Sequence, residues 1–304
     1  MTNASKHIRR RPRPVLALLV IVLSLLPDCN RPQKAVPPDN PRLTPQVTMR
    51  NVVFRSAALG RDMPYRVVLP KLVQAGYKLP AVYLLHGSGG DFRDWSNYSD
   101  VARYAESGMI LVMPEGHSSY YTNAVEPSQD RYEDYVVDDL VRDVETRFPA
   151  STGRANRAVV GVSMGGFGAV NLALRHPGLF AFAGGISPAL DVPSRPFSIK
   201  RPWQWRHYRA IFGPWTGPAQ RNHDPFVLAR SADPSLAPYL FLSCGEQEGL
   251  LSANRQFAAL LARRHFRYEF HAVPGGHDWN QWNARLPNVF QSLREHLTGS
   301  SAPN

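Results

Sequence analysis

The stretch VVGVSMGGFGAVNLAL, Val159–Leu174, sets one serine among glycines, between an apolar run and a helix-like pattern. The apolar run reads as a buried strand, and Ala169–Leu174 continues a helix. At their junction stands GVSMG, Gly161–Gly165, with the pattern Gly-x-Ser-x-Gly. Between a strand and a helix this is a nucleophile elbow, a tight turn that pushes the Ser163 hydroxyl above the sheet edge. Side chains at 161 and 165 would collide with neighbouring backbone, so glycine is needed at both. Gly166 and Gly168 are expected to let the helix approach the sheet. The helix N-terminus points free N–H groups toward the reacting centre.

A serine hydroxyl is a weak nucleophile without a base. In folds with this elbow the chain order is serine, acid, histidine. Among ten histidines, His277 lies in VPGGHDWNQW, past a strand and before the last helix, where two glycines let the loop turn the ring inward. His265, His271 and His296 fall inside regular elements. The acid should follow the strand YLFLSCG, where Glu246 and Glu248 both stand in CGEQEGLL. Asp278 is next to His277, and adjacent side chains rarely face each other. The oxyanion of an acyl-transfer intermediate needs N–H donors. Met164, after the serine, supplies one. HGSGG, His86–Gly90, supplies another through the Ser88 N–H, with His86 bracing the loop.

Around this centre the chain alternates strands and helices. NVVFRS and MPYRVVLP read as antiparallel strands, and AVYLLHG and MILVMPEG as buried ones. SDVARYAESG reads as a helix with Ser99 as N-cap and Gly108 as its stop. YEDYVVDDLVRDVETRF, SANRQFAALLARRH and WNQWNARLPNVFQSLREHL carry helical spacing, and YEFHAVPG reads as the last strand. This alternation implies an α/β fold with a mostly parallel sheet and functional groups at the carboxyl strand ends. Residues 191–237 read as an irregular insertion holding Trp203, Trp205, Tyr208, Phe212 and Trp215, either pocket lining or packing. Trp95 and Trp279 flank the catalytic loops and are expected at the pocket rim.

The 304 residues are 43% hydrophobic, enough for one large core. Of the net +11, residues 1–42 supply most, with eight Lys/Arg against two Asp, leaving +5 for the rest. The rest is read as a mildly basic surface without a nucleic-acid face. KHIRRRPRP followed by the twelve-residue apolar run Val15–Leu26 reads as a signal or membrane-targeting segment, residues 1–26, implying export. That run is too short to cross a bilayer as a free helix. Uncleaved, it would serve as an anchor. Cys29 follows as in a lipoprotein, although Asp28 stands where a small residue is wanted. Residues 27–45 hold six prolines and read as a linker, 46–297 as the catalytic domain, and 298–304 as a disordered tail. Of two cysteines, Cys244 has no partner if Cys29 is removed or lipidated. No HExxH and no paired CxxC occurs, so no metal or cofactor is expected.

LLHGSGGDFRDW, GVSMGGFGA, CGEQEGLLSANRQF and PGGHDWNQW together resemble the esterase D-like family of α/β-hydrolases over about residues 47–297. That family includes feruloyl and acetylxylan esterases, tributyrin-type carboxylesterases, S-formylglutathione hydrolases, siderophore esterases and mycolyltransferases. ALDVPSR, FGP and DPFVLA also look like its strand-to-helix connection. Its acid usually stands three residues after the glycine of a CGxxD-like stretch. The resemblance thus implies Glu248 as the acid, a departure from the usual Asp. It implies a serine carboxylesterase acting on a small acyl, aryl or sugar ester through an acyl-enzyme. The alternatives are an acyltransferase with the same triad and a non-catalytic binding module.

Overall fold

The computed structural model describes residues 38–125 and 130–297. The proposed leader and Cys29, and the proposed tail, lie outside the described residues. The described residues from Asp39 to Leu297 form one compact unit. Within the stretch read as linker, Asp39 accepts two bonds from the buried Arg66 guanidinium, at 2.6 and 3.0 Å, and Arg42 N–H donates to Ser96 O.

Among the described residues eight strands form one sheet: β1 (Val47–Ser56), β2 (Arg61–Pro70), β3 (Ala81–Leu85), β4 (Ile110–Pro114), β5 (Arg157–Val162), β6 (Phe182–Ile186), β7 (Tyr239–Gly245) and β8 (Tyr268–Val273). Their order is β1-β2-β4-β3-β5-β6-β7-β8. β2 runs antiparallel to both neighbours, and every pairing from β4 to β8 is parallel. This is the expected α/β-hydrolase architecture. β3, β4 and β5 are buried at every residue, as strands covered by helices on both faces must be. The two-residue side-chain period splits them between faces. Tyr83, Leu85 and Val159 join one core cluster, while Val82, Leu84, Val160 and Val162 join the other.

β6 went unread in the sequence because its FAGGI has little strand character. Its glycines are enforced by packing. A Cβ at Gly184 would lie 3.1 Å from Val160, and one at Gly185 3.1 Å from Pro188. Ser99 is not a helix N-cap. It ends the short helix Asp94–Tyr98, its hydroxyl turned back to Trp95 O, and the next helix is Ala102–Glu106. The insertion is not irregular. It holds the helices Pro202–Phe212, Pro218–Asn222 and Pro225–Ser231, each with proline in the first turn, where a missing N–H costs nothing.

Candidate active site

β5 ends at Val162, and the helix Met164–Arg175 begins two residues later. Ser163 joins them at φ 55°, ψ −113°. A non-glycine residue there stores roughly 1–3 kcal/mol of strain, so its surroundings must hold it. Its N–H donates to Ile186 O at 2.9 Å, and its carbonyl accepts from Phe167 N–H and Ala189 N–H. A Cβ at Gly161 would lie 2.1 Å from Gly165 O, and one at Gly165 2.1 Å from Leu85 O. Both are hard clashes with backbone, as the elbow requires. Gly168 has another reason: a Cβ there would press the Tyr121 ring at 2.7 Å, so this glycine makes room for Tyr121 and not for the sheet.

Three side chains from three strand ends meet. His277 Nε2 stands 2.8 Å from Ser163 Oγ, and His277 Nδ1 stands 2.7 Å from Glu248 Oε2. The Glu248 side chain is 1% exposed, whereas that of His277 is 39% exposed, so the carboxylate is sealed and the imidazole opens to solvent. A buried carboxylate needs donors. Glu248 Oε1 accepts from Gly245 N–H at 2.8 Å and from Ser187 Oγ at 2.6 Å. Glu246 is exposed, and its N–H bonds Val273 O. Asp278 caps the helix Trp279–Asn283, accepting from Asn280 and Gln281 N–H. His271 pairs with Glu269, and His296 with Ser292 O.

The turn 87–90 lies against the elbow. A Cβ at Gly87 would be 3.6 Å from that of Ser163, and Gly90 N–H closes the turn on Gly87 O. Ser88 is exposed at its tip. Met164 opens its helix, where first-turn N–H groups have no intrahelical acceptor. His86 braces this turn: its Nδ1 stands 2.8 Å from Gly87 O, and its Nε2 accepts from Gly116 N–H at 2.9 Å. Glu115 Oε1 lies 3.3 Å from the same Nε2. Burial lowers the His86 imidazole's pKa, but the Glu115 carboxylate outweighs it and the net shift is upward. Tyr121 OH donates to His86 O, and Glu115 accepts from His117 and Phe92 N–H.

Trp95 is 1% exposed and packs edge-on against Trp279, so of this pair Trp279 presents the surface. Tyr208 and Phe212 pack on Tyr120, whereas Trp203 and Trp215 are exposed. A cavity of about 670 Å³ beyond Glu115 is walled by Arg61, His117, Asp130, Tyr132 and His207; Ser163, Glu248 and His277 are not among its walls. Among the described residues no group of three or more His, Cys, Asp or Glu could hold a metal ion. Sequence reading missed Ser187 and Trp282, whose indole Nε1–H donates to Ser187 Oγ at 3.2 Å. Ser187 directly follows the unread β6, so no motif marked it.

The chain is 24% identical over 220 residues to an acetyl esterase of Caldicellulosiruptor saccharolyticus, covering 70% of this chain and 82% of that one. It is 29% identical over 284 residues to the diacylglycerol acyltransferase/mycolyltransferase Ag85B of Mycobacterium intracellulare, covering 81% and 82%. Among solved structures, a fluorophosphonate-binding serine hydrolase of Staphylococcus aureus superposes with TM-score 0.71 at 25% identity, covering 81% and 98%. A family model described as putative esterase matches residues 56–293. The chain therefore belongs to the putative esterase family, and it is a carboxylic ester hydrolase.

Proposed function

We propose that the protein is an exported serine carboxylesterase that works through an acyl-enzyme on Ser163. The observation that carries this reading is the continuous bonding from Ser163 Oγ through His277 to Glu248. Ser163 Oγ attacks the ester carbonyl carbon as its proton passes to His277 Nε2. The carbonyl oxygen becomes an oxyanion and accepts from the N–H groups of Met164 and Ser88, each such donor contributing about 2.7–4 kcal/mol. The C–O bond to the leaving alcohol then breaks, and His277 returns the proton to that oxygen. Water repeats the sequence in reverse: His277 takes its proton, hydroxide adds to the acyl carbon, and Ser163 leaves with the proton. Glu248 keeps the Nδ1 proton in place and stabilises the imidazolium.

Nitrophenyl esters of rising chain length, with methyl ferulate and acetylated xylan, test this. Turnover and an acyl mass on the Ser163 peptide are expected. A folded protein inert on the whole panel contradicts it. The likeness to an acyltransferase supports a second reading, transfer of the acyl group to an alcohol. An added alcohol that captures the acyl group as a new ester, at the expense of free acid, would establish it. Export is supported by the basic cluster before Val15–Leu26. Mature protein in the periplasm or medium is expected on fractionation, and cytosolic protein starting at Met1 contradicts export. Fatty-acyl mass on Cys29 would identify a lipid anchor.

A further inference from the structure

Glu248 is held by more than the histidine it serves. Ser187 is 1% exposed and sits between the elbow strand and the strand that carries the acid. Its hydroxyl has one proton and could rotate freely if nothing aimed it. The Trp282 indole can only donate, so its Nε1–H occupies a lone pair of Ser187 Oγ at 3.2 Å. The Ser187 proton is then left for Glu248 Oε1 at 2.6 Å, the length of a charge-assisted O–H···O⁻ bond. Gly245 N–H binds the same oxygen at 2.8 Å. Two donors therefore pin Oε1, which turns Oε2 toward His277 Nδ1. Trp282 acts a second time: its ring meets the His277 ring at 5.0 Å and 90°, a wall against tilting of the imidazole.

The backbone gives an independent sign. Ser187 has φ 49°, the left-handed region, where a non-glycine residue costs roughly 1–2 kcal/mol. The strand end fixes that conformation through the Ser187 N–H bond to Ser243 O at 2.7 Å. Glycine would adopt the same backbone without strain. What serine brings and glycine lacks is the hydroxyl.

We propose that Ser187, its hydroxyl aimed by the Trp282 indole, is a positioning residue that orients Glu248 for His277. The proposal rests on the acyl-enzyme reading above. Removing this donor concentrates negative charge on Glu248, which favours the imidazolium form of His277. The hydroxyl also fixes the geometry of the Glu248–His277 pair.

Ser187→Gly in the full chain is the test, because it removes the hydroxyl and relieves the backbone together. Hydrolysis of nitrophenyl acetate is expected to lose about 10–100-fold in kcat with KM little changed, the scale of a misplaced catalytic group. The thermal midpoint is expected to hold, and the acid limb of kcat/KM to move to higher pH. Trp282→Phe removes the N–H together with part of the ring that meets His277, and should shift the limb in the same direction by less. Added to Ser187→Gly it should lower kcat by less than it does alone, since the two act through one oxygen. Unchanged kcat and an unmoved acid limb in Ser187→Gly overturn the proposal. If that variant fails to fold, an unmoved limb in Trp282→Phe overturns it. Turnover that survives in Ser163→Ala would instead overturn the acyl-enzyme reading, whatever Ser187→Gly shows.

Discussion

At the scale of single residues, two glutamates two positions apart have opposite fates. Glu248 is sealed and bonded to Gly245 N–H, Ser187 and His277, while Glu246 faces solvent. Glu248→Gln keeps the shape but lets the amide donate where the carboxylate accepted, which disfavours the Nδ1–H tautomer. Turnover should fall by up to about 10⁴ with the fold retained. Glu246→Gln should leave kcat within a few-fold of the parent. Steady-state kinetics with circular dichroism checks both, and the reverse ranking would move the acid to Glu246. The motifs alone left both carboxylates open, and the resemblance chose between them. Neither could reveal Ser187, because its partners stand 61 and 95 positions away in sequence.

At the scale of elements, the elbow is a contact between backbones. Gly165→Ala would place a methyl 2.1 Å from Leu85 O, and Leu85 lies in a fully buried strand that cannot yield. Destabilisation of at least about 3 kcal/mol is expected, at the upper end for overpacking. Gly178, where a Cβ would meet nothing within 4 Å, serves as control: Gly178→Ala should shift stability by less than about 1 kcal/mol. Chemical denaturation of the two variants measures both. Periodicity and glycine placement made the elbow legible, along with seven of eight strands. β6 was not, because its glycines answer to Val160 and Pro188, which approach only in the folded sheet. The insertion helices escaped for a related reason. The exposed Trp203 and the buried Tyr208 and Phe212 mix aromatics on both faces of one helix, which blurs the amphipathic signal.

At the scale of the whole molecule, a buried polar cluster links the helix after the elbow to the insertion. Glu133 accepts from Arg175 and lies 2.7 Å from His176, and His223 packs beside them. Burial, aided by the Arg175 charge, pushes the His223 imidazole from 6.5 down to about 4. The unfolded chain then binds a proton that the folded chain refuses. Stability is lost as pH falls from about 6.5 to about 4, by at most roughly 3 kcal/mol. For Glu133 burial opposes the charge, yet the His176 and Arg175 bonds hold the carboxyl below 4.5. Its contribution is present above 4.5 and is lost at lower pH. Thermal melts across this range should show a fall that starts near pH 6.5. His223→Phe should flatten its upper part and leave the fall below pH 4.5.

The central claim is that Ser163 alone is an activated nucleophile, and covalent labelling tests it most directly. A fluorophosphonate bonds to a hydroxyl that a neighbouring base has activated. Intact mass of the labelled full chain should show one adduct, and peptide mapping should place it on Ser163. His277→Ala, with Ser163 still present, should remove the adduct on the same timescale. An adduct on another serine, or none on a folded sample, would contradict the account.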